Sequence, residues 1–279
     1  MCDKLKRYIN EKMKKSFGQH LLVDKNYLQE IINAIKPKSN DIVLEIGAGD
    51  GLLTSLLAQK VKKIYAVEPE RVILKKLKEN IKINKLTNVE IIEADFLKLN
   101  LNNLLESPFK VVGNIPYNIT SKIILKLFGE IDKPAPHLKY LKEVYLMLQL
   151  EVAYRLAAKP NTKSYSPITL LVQYFACPEI LFTVPSDAFY PVPKVDSAFV
   201  VFYLRENPQA LKYPSLLKNI IRVAFQQRRK KVINALNKLF EDKSVIKNTF
   251  DKLHLNHNLR AENLDFEKFV IITNEFKHQ

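Results

Sequence analysis

"DIVLEIGAGDG", residues 41 to 51, decides the fold. Ile42 to Ile46 form a short run that is apolar except for Glu45, and three glycines, Gly47, Gly49 and Gly51, end it. The following "LLTSLLAQKV" (52–61) repeats its leucines at helical spacing. A strand that stops in a glycine-rich turn and restarts as a helix brings bare backbone close to a ligand. Glycine accepts left-handed backbone there, and the start of the helix offers unpaired N–H groups.

Downstream the alternation continues. "KIYAVEP" (63–69) reads as a second strand, "ERVILKKLKENIKINK" (70–85) as an amphipathic helix and "NVEIIEADFL" (88–97) as a third strand. "FKVVGNIPY" (109–117) reads as a fourth strand, "TSKIILKLFGEI" (120–131) as a helix, and "KEVYLMLQLEVAYRL" (142–156) as a strand running into a helix. This order predicts an α/β, Rossmann-like, mostly parallel sheet that binds its ligands at the carboxyl ends of the strands. "PITLLVQYFACPEILFTVP" (167–185) and "FYPVPKVDSAFVVFYL" (189–204) break the rhythm, predicting a helix, a strand, a proline-rich loop and a last, antiparallel strand. Past about residue 206 strand patterns stop, and "YPSLLKNIIRVAFQQRRKKVINALNKLF" (213–240) and "LDFEKFVIITNEF" (264–276) read as amphipathic helices. A boundary at "RENPQA" (205–210) gives a ligand-binding domain over 1–205 and a small all-α domain over 206–279.

Composition narrows the function classes. The 279 residues, 47% of them hydrophobic, suffice for one large domain and a small one. No apolar run approaches the roughly 18 residues that a membrane-spanning helix needs, and "MCDKLKRYINEKMKKSFG" (1–18) reads as a charged, helix-like stretch rather than a signal peptide. A soluble, cytoplasmic, monomeric protein is expected, with no membrane partner. Cys2, Cys177 and five scattered histidines give no metal-ligand spacing, so no metal is expected. Lys and Arg total 44 against 29 Asp and Glu, a net charge of +15, which favours a polyanionic partner. Arg228, Arg229, Lys230 and Lys231, read as one cationic helix face, are the candidate contacts to such a partner, RNA, DNA or an anionic membrane by charge alone.

At the glycine turn, a dinucleotide fingerprint would need its third glycine at position 52, which is Leu52. The G-x-G-x-G spacing is that of S-adenosyl-L-methionine-dependent methyltransferases, and Gly47 and Gly49 are the candidate cofactor contacts. Glu68 ends the second strand, where a carboxylate accepts hydrogen bonds from both ribose hydroxyls. Asp95 ends the third, within reach of an adenine amino group, with Phe96 beside it to cover the ring.

The fourth strand ends in Asn114-Ile115-Pro116-Tyr117. An exocyclic amine such as N6 of adenine is a poor nucleophile because its lone pair is delocalised into the ring. Asn114 Oδ1 and a backbone carbonyl fixed by Pro116 can accept both amine hydrogens and turn that lone pair toward an electrophilic methyl group, while Tyr117 stacks on the base. Such acceptors match charge that develops on nitrogen in the transition state.

These residues resemble the N-(L/I)-P-Y motif of the ribosomal RNA adenine N6 dimethyltransferases. "KSFGQHLLVD" (15–24) is similar to that family's F-G-Q-(N/H)-F-L-x-D motif with Leu21 in place of Phe, and the resemblance implies that His20 and Leu22 contact the cofactor. "FYPVPKVDSAF" (189–199) resembles the F-x-P-x-P-K-V-D-S loop, whose aromatic, here Phe189, would close over the other face of the target base. "AFQQRRKKVINAL" (224–236) is similar to the A-F-x-Q-R-R-K-T-L-R-N-x-L segment of the small-subunit branch, with Lys231 for Thr and Ile233 for Arg. "LMLQLEVAYRL" (146–156) keeps the family's M-x-Q-K-E-V-A-x-R-L pattern except for Leu150 in place of Lys. The resemblance implies dimethylation of two adjacent adenosines in the terminal hairpin of small-subunit rRNA during ribosome assembly. The large-subunit branch that confers macrolide resistance and a non-catalytic assembly or transcription factor on the same fold are the alternatives.

Overall fold

The computed structural model describes residues 20–276 apart from 105, 207, 209, 240, 241 and 243, so the first part of the "KSFGQHLLVD" motif and the charged N-terminal stretch lie outside the described residues. The chain divides into two units, one of 1–126, 136–150 and 179–202, the other of 127–135, 151–178 and 203–279.

The first unit carries a mixed, mostly parallel sheet of seven strands. They are β1 (Ile42–Ile46), β2 (Lys63–Val67), β3 (Val89–Ile92), β4 (Phe109–Asn114), β5 (Leu141–Gln149), β6 (Ala176–Val184) and β7 (Ser197–Leu204). Their spatial order is β3-β2-β1-β4-β5-β7-β6. The pairs β1/β2, β1/β4, β2/β3 and β4/β5 are parallel. Val43, Leu44, Val111, Val112, Val144 and Leu146 are fully buried, which explains why these strands read as continuous apolar runs: a parallel sheet hides both faces. After β3 the chain returns to the other side of β1, so the connections leaving β1 and β4 diverge and open a crevice at their carboxyl ends. Register places Ile46 opposite Val67 and Gly113, and Asn114 opposite Met147, so the glycine turn and the Asn-Ile-Pro-Tyr turn start side by side.

Helices α1 (Lys25–Ile35), α2 (Leu52–Ala58), α3 (Arg71–Ile83), α4 (Leu101–Leu104) and α5 (Thr120–Phe128) follow in chain order. Helix α1 shows the sequence logic well: Asp24 caps its start by accepting from Asn26 N at 2.7 Å, and Leu28, Ile31, Ile32 and Ile35 bury one stripe. Ahead of α1, Leu21–Leu22 pairs antiparallel with Phe189–Tyr190, and Val23 N donates to Ala188 O at 2.9 Å. Two distant segments thereby form one strap.

The second unit contains most of α6 (Leu150–Leu156), α7 (Pro167–Phe175), α8 (Pro214–Gln226), α9 (Val232–Leu236), α10 (Ser244–Lys252) and α11 (Phe266–Phe276). It takes in 127–135 and 151–178 as well as the segment that the sequence boundary at 205–210 assigns to it. Aromatic packing is the reason. Tyr165 meets Phe225 at 6.1 Å, Tyr174 meets Phe266 at 5.3 Å and Phe128 meets Phe175 at 6.2 Å, so the residues on and around α7 share their apolar surface with the C-terminal helices.

One expectation is corrected here. The stretch read as a single cationic helix is α8 and α9 separated by a turn, and Arg228, Arg229 and Lys230 lie in that turn, with Lys231 as the N-cap of α9. In a continuous helix Arg228 and Lys231, three apart, would have been neighbours on one face. Instead Arg228 Nε donates to Glu262 Oε2 at 2.8 Å and its Nη2 to Thr162 O at 2.9 Å, while Val232 N donates to Leu259 O.

Candidate active site

The glycine turn is built by positive backbone angles: φ is 72° at Gly47, 58° at Gly49 and 87° at Gly51. Close approach adds a second requirement, since a Cβ at Gly47 would stand 3.2 Å from Asn114 O and one at Gly49 would stand 2.9 Å from Leu21 Cδ2. The cofactor turn, the end of β4 and the N-terminal strap thus touch one another through atoms that only glycine leaves room for.

Glu68 is 1% exposed and holds this turn in place: Gly49 N donates to its Oε2 and Glu70 N to its Oε1, both at 3.0 Å. Burial pushes its carboxyl upward against the opposing pull of these two N–H groups. Each oxygen keeps a further lone pair for a hydroxyl donor. Beneath the turn, Glu45 is 1% exposed and accepts from Thr54 Oγ1 at 2.6 Å. Burial raises its carboxyl to about 8, the Thr54 hydroxyl opposes this, and the charges of Glu68 and Asp50 add to it.

A cavity opens against this turn, walled by Leu21, Leu22, Gly47, Gly49, Asp50 and Asn114, with Met147 and Phe199 also in its lining. Glu45 and Asp50 contribute to that lining and, among the described residues, neither Lys nor Arg does. A pyrophosphate would meet no cation here. The carboxyl oxygens of Asp50 offer acceptors for an ammonium group, and Leu52 stands where a dinucleotide turn needs its third glycine, so the residues present fit S-adenosylmethionine.

Asn114 at the end of β4 is oriented by the strap: its Nδ2 donates to His20 O at 2.7 Å. With the amide nitrogen engaged, Oδ1 is the atom left to accept a hydrogen bond from elsewhere. The His20 ring stacks on Tyr117 at 5.5 Å with planes 28° apart, and its Nδ1 lies 2.6 Å from Pro191 O. Tyr117 in turn places its hydroxyl 2.5 Å from Ser197 Oγ, and burial pushes that phenol upward.

Of the sequence-nominated residues, Leu22, Gly47, Gly49 and Asn114 line the cavity. Glu68 reaches the glycine turn through Gly49 N, while His20, Pro116 and Tyr117 gather around the β4 end. Asp95 is exposed and accepts from Leu97 N at 2.9 Å as the cap of a short helical turn, and Phe96 is 4% exposed. Phe189, expected above the target base, is 1% exposed and packs in the core of the first unit, opposite Leu22 in the strap. Arg228, Arg229, Lys230 and Lys231 belong to the second unit. Sequence reasoning assigned no role to Glu45, Thr54 or Ser197. Glu45 was detectable as the one acid inside an apolar strand, whereas the partners of Thr54 and Ser197 are 9 and 80 residues away.

A sheet that turns back at β1 and β4, with glycines ending β1, a carboxylate ending β2 and an oriented amide ending β4, defines a methyltransferase of the S-adenosylmethionine-dependent class. Comparison with known proteins makes this specific. The chain belongs to the ribosomal RNA adenine dimethylase family, whose model matches residues 10–278. It is 37% identical over 267 residues to the ribosomal RNA small subunit methyltransferase A of Caldanaerobacter subterraneus subsp. tengcongensis, covering 94% of this chain and 97% of that protein. The protein of the same name from Picosynechococcus sp. is 38% identical over 266 residues, with coverages of 93% and 96%. Among solved structures, a dimethyladenosine transferase from Plasmodium falciparum superposes with a TM-score of 0.79 at 29% identity, covering 93% of this chain and 98% of that one.

Proposed function

We propose that this rRNA methyltransferase transfers methyl groups from S-adenosylmethionine to N6 of two adjacent adenosines in the 3′-terminal hairpin of small-subunit rRNA, acting on immature subunits. The observation that carries the reading is the Asn114 amide, whose nitrogen is committed to His20 O at 2.7 Å. The relatives named as small-subunit enzymes, similar over nearly their whole length, support that target over the large subunit.

Bound S-adenosylmethionine supplies an electrophilic methyl group. The chain's own residues do the rest. Gly47 and Gly49 let backbone approach the cofactor, Glu68 accepts from its ribose, and Asp95, through the carboxylate oxygen not used by Leu97 N, accepts from its adenine amine. Leu22 supplies apolar contact, Phe96 backs the adenine site from the core, and His20 joins the strap to the base site. Asn114 Oδ1 accepts one hydrogen of the target amine. A main-chain carbonyl held by the rigid Pro116 backbone accepts the other. As positive charge grows on N6 these two bonds strengthen, which lowers the barrier without a strong base. Tyr117 stacks on one face of the base, and Phe189, buried opposite Leu22, supports the strap beside the base site from the core. In the second unit, Arg229, Lys230 and Lys231 meet the phosphate backbone.

The test is transfer of tritium from labelled cofactor to small subunits lacking the modification, followed by nucleoside analysis and primer extension. N6-dimethyladenosine at two neighbouring positions near the 3′ end is expected. Label found only in large-subunit RNA, or no label, contradicts the reading.

A further inference from the structure

Ser197 begins β7 and is fully buried, 80 residues from the Asn-Ile-Pro-Tyr turn in sequence, yet its Oγ lies 2.5 Å from Tyr117 Oη. Nothing else about Ser197 explains a hydroxyl at that point. Tyr117 is held at three places: its hydroxyl by Ser197, its ring face by the His20 imidazole at 5.5 Å, and its carbonyl by Thr120 Oγ1 at 3.1 Å. The carbonyl bond fixes the main chain and the imidazole supports one ring face. The bond at the far tip of the phenol resists a swing of the whole ring about Cα–Cβ. The tip lies on the Cβ–Cγ axis, so the twist of the ring about that axis, a broad torsion, is left to the imidazole stack.

We infer that Ser197 is a positioning residue for methyl transfer: its hydroxyl fixes where the Tyr117 ring points and, through that ring, how the target base sits against the Asn114 amide. The inference rests on Tyr117 being the stacking partner of the base. A base tilted out of plane meets the Asn114 acceptor off line, and hydrogen bonds weaken steeply with such misalignment. Ser197 therefore governs catalysis and RNA placement while making no contact with the cofactor. Fixing a ring rather than filling space, it also differs from its buried neighbours Ala198 and Phe199.

The experiment is a double-mutant cycle with Ser197→Ala, Tyr117→Phe and the pair, and Tyr117→Ala as a separate control. Single-turnover rate, KM for RNA and cofactor dissociation constant are read for each, at a temperature well below the melting range. Ser197→Ala and Tyr117→Phe should each lower kcat/KM for RNA by roughly three- to tenfold, the effect of losing one neutral hydrogen bond. The pair should do no more than either alone, with the cofactor constant unchanged throughout. A merely structural serine would lower the melting temperature and leave these kinetics alone, and that result overturns the inference. So does a pair whose losses multiply, since Ser197 then acts through something other than Tyr117. If Ser197→Ala fails to fold, Tyr117→Phe removes the same bond from the other side: a loss in that range carries the inference, and wild-type kinetics overturn it. Tyr117→Ala separates the two levels: normal turnover there removes the stacking role itself, whereas a slow Tyr117→Ala beside a wild-type Ser197→Ala removes only Ser197.

Discussion

Gly113→Ala should cost the protein both stability and rate. Gly113 stands on β4 opposite Ile46 of β1, and a Cβ there would lie 2.8 Å from Ile46 O, 3.0 Å from Ile115 Cγ2 and 3.2 Å from Ile46 Cβ. The nearest of these is backbone, fixed in the ladder between β1 and β4, so no side-chain rotation relieves it. The two strands must part by roughly half an ångström, and overpacking of this kind costs about 1 to 3 kcal/mol. Each kcal/mol corresponds to a melting shift of about 2 to 4 °C in a chain somewhat smaller than this one. The displacement falls on the residue before Asn114 and on the strand end that carries the glycine turn. Positioning errors near one ångström slow reactions by about a hundredfold, so a loss of roughly tenfold in single-turnover rate is expected from half that shift. Urea denaturation and rapid-quench methylation measure the two effects. A variant with the wild-type midpoint and rate would mean that the strands have slack, and that the pairing of β1 with β4 does not set the geometry of the site.

Asp95→Ala should raise the cofactor dissociation constant by roughly tenfold, the value of one charge-assisted hydrogen bond, and Glu68→Ala by at least as much because Gly49 N and Glu70 N lose their acceptor. Calorimetry showing unchanged affinity would remove either residue from the cofactor site. Glu45 is raised from its ordinary value of 4.5 to about 8, so the folded chain keeps a proton that the unfolded chain releases. Its contribution to stability is full below about pH 4.5 and is lost as pH climbs toward 8. Glu45→Gln should therefore gain on the wild type between pH 5 and 8 in thermal melts, and a constant gap across that range refutes the assignment. In the turn after α8, replacing Arg229, Lys230 and Lys231 together by Ala should flatten the salt dependence of RNA binding by up to about three units of slope. Arg228→Ala, which breaks the bonds to Glu262 and Thr162, should lower stability more than it alters the slope.

Much of the sheet was legible because its first four strands are apolar runs that end in, or run on within three residues to, a residue type a buried strand does not need: Gly47, Glu68, Asp95, Asn114. Periodicity also exposed α2, α3 and α8. It missed the break after Gln226, because a 3.6-residue pattern counts apolar positions and does not register the distant partners, Thr162, Leu259 and Glu262, that hold Arg228 and Val232 at the turn. The helical unit also takes in residues that precede the 205–210 boundary, for a different reason. Residues on and around α7 look like the next step of the α/β rhythm, and only the spatial meeting of Tyr165, Tyr174 and Phe175 with Phe225, Phe266 and Phe128 assigns them to the helical unit. At the site, motif spacing located the Asn114 turn. It did not reveal that His20 O orients the amide, that Ser197 holds Tyr117, or that Phe189 is buried, since these depend on a strap that joins residues about 170 positions apart.

The most direct test of amine activation by an oriented amide is the single-turnover rate of Asn114→Ala at saturating cofactor and RNA. Removing Oδ1 deletes a hydrogen bond that strengthens as N6 becomes cationic, so the rate should fall roughly a hundredfold or more while cofactor affinity changes little. A rate within about threefold of wild type would contradict the mechanism and leave Asn114 as a residue that ties β4 to the N-terminal strap.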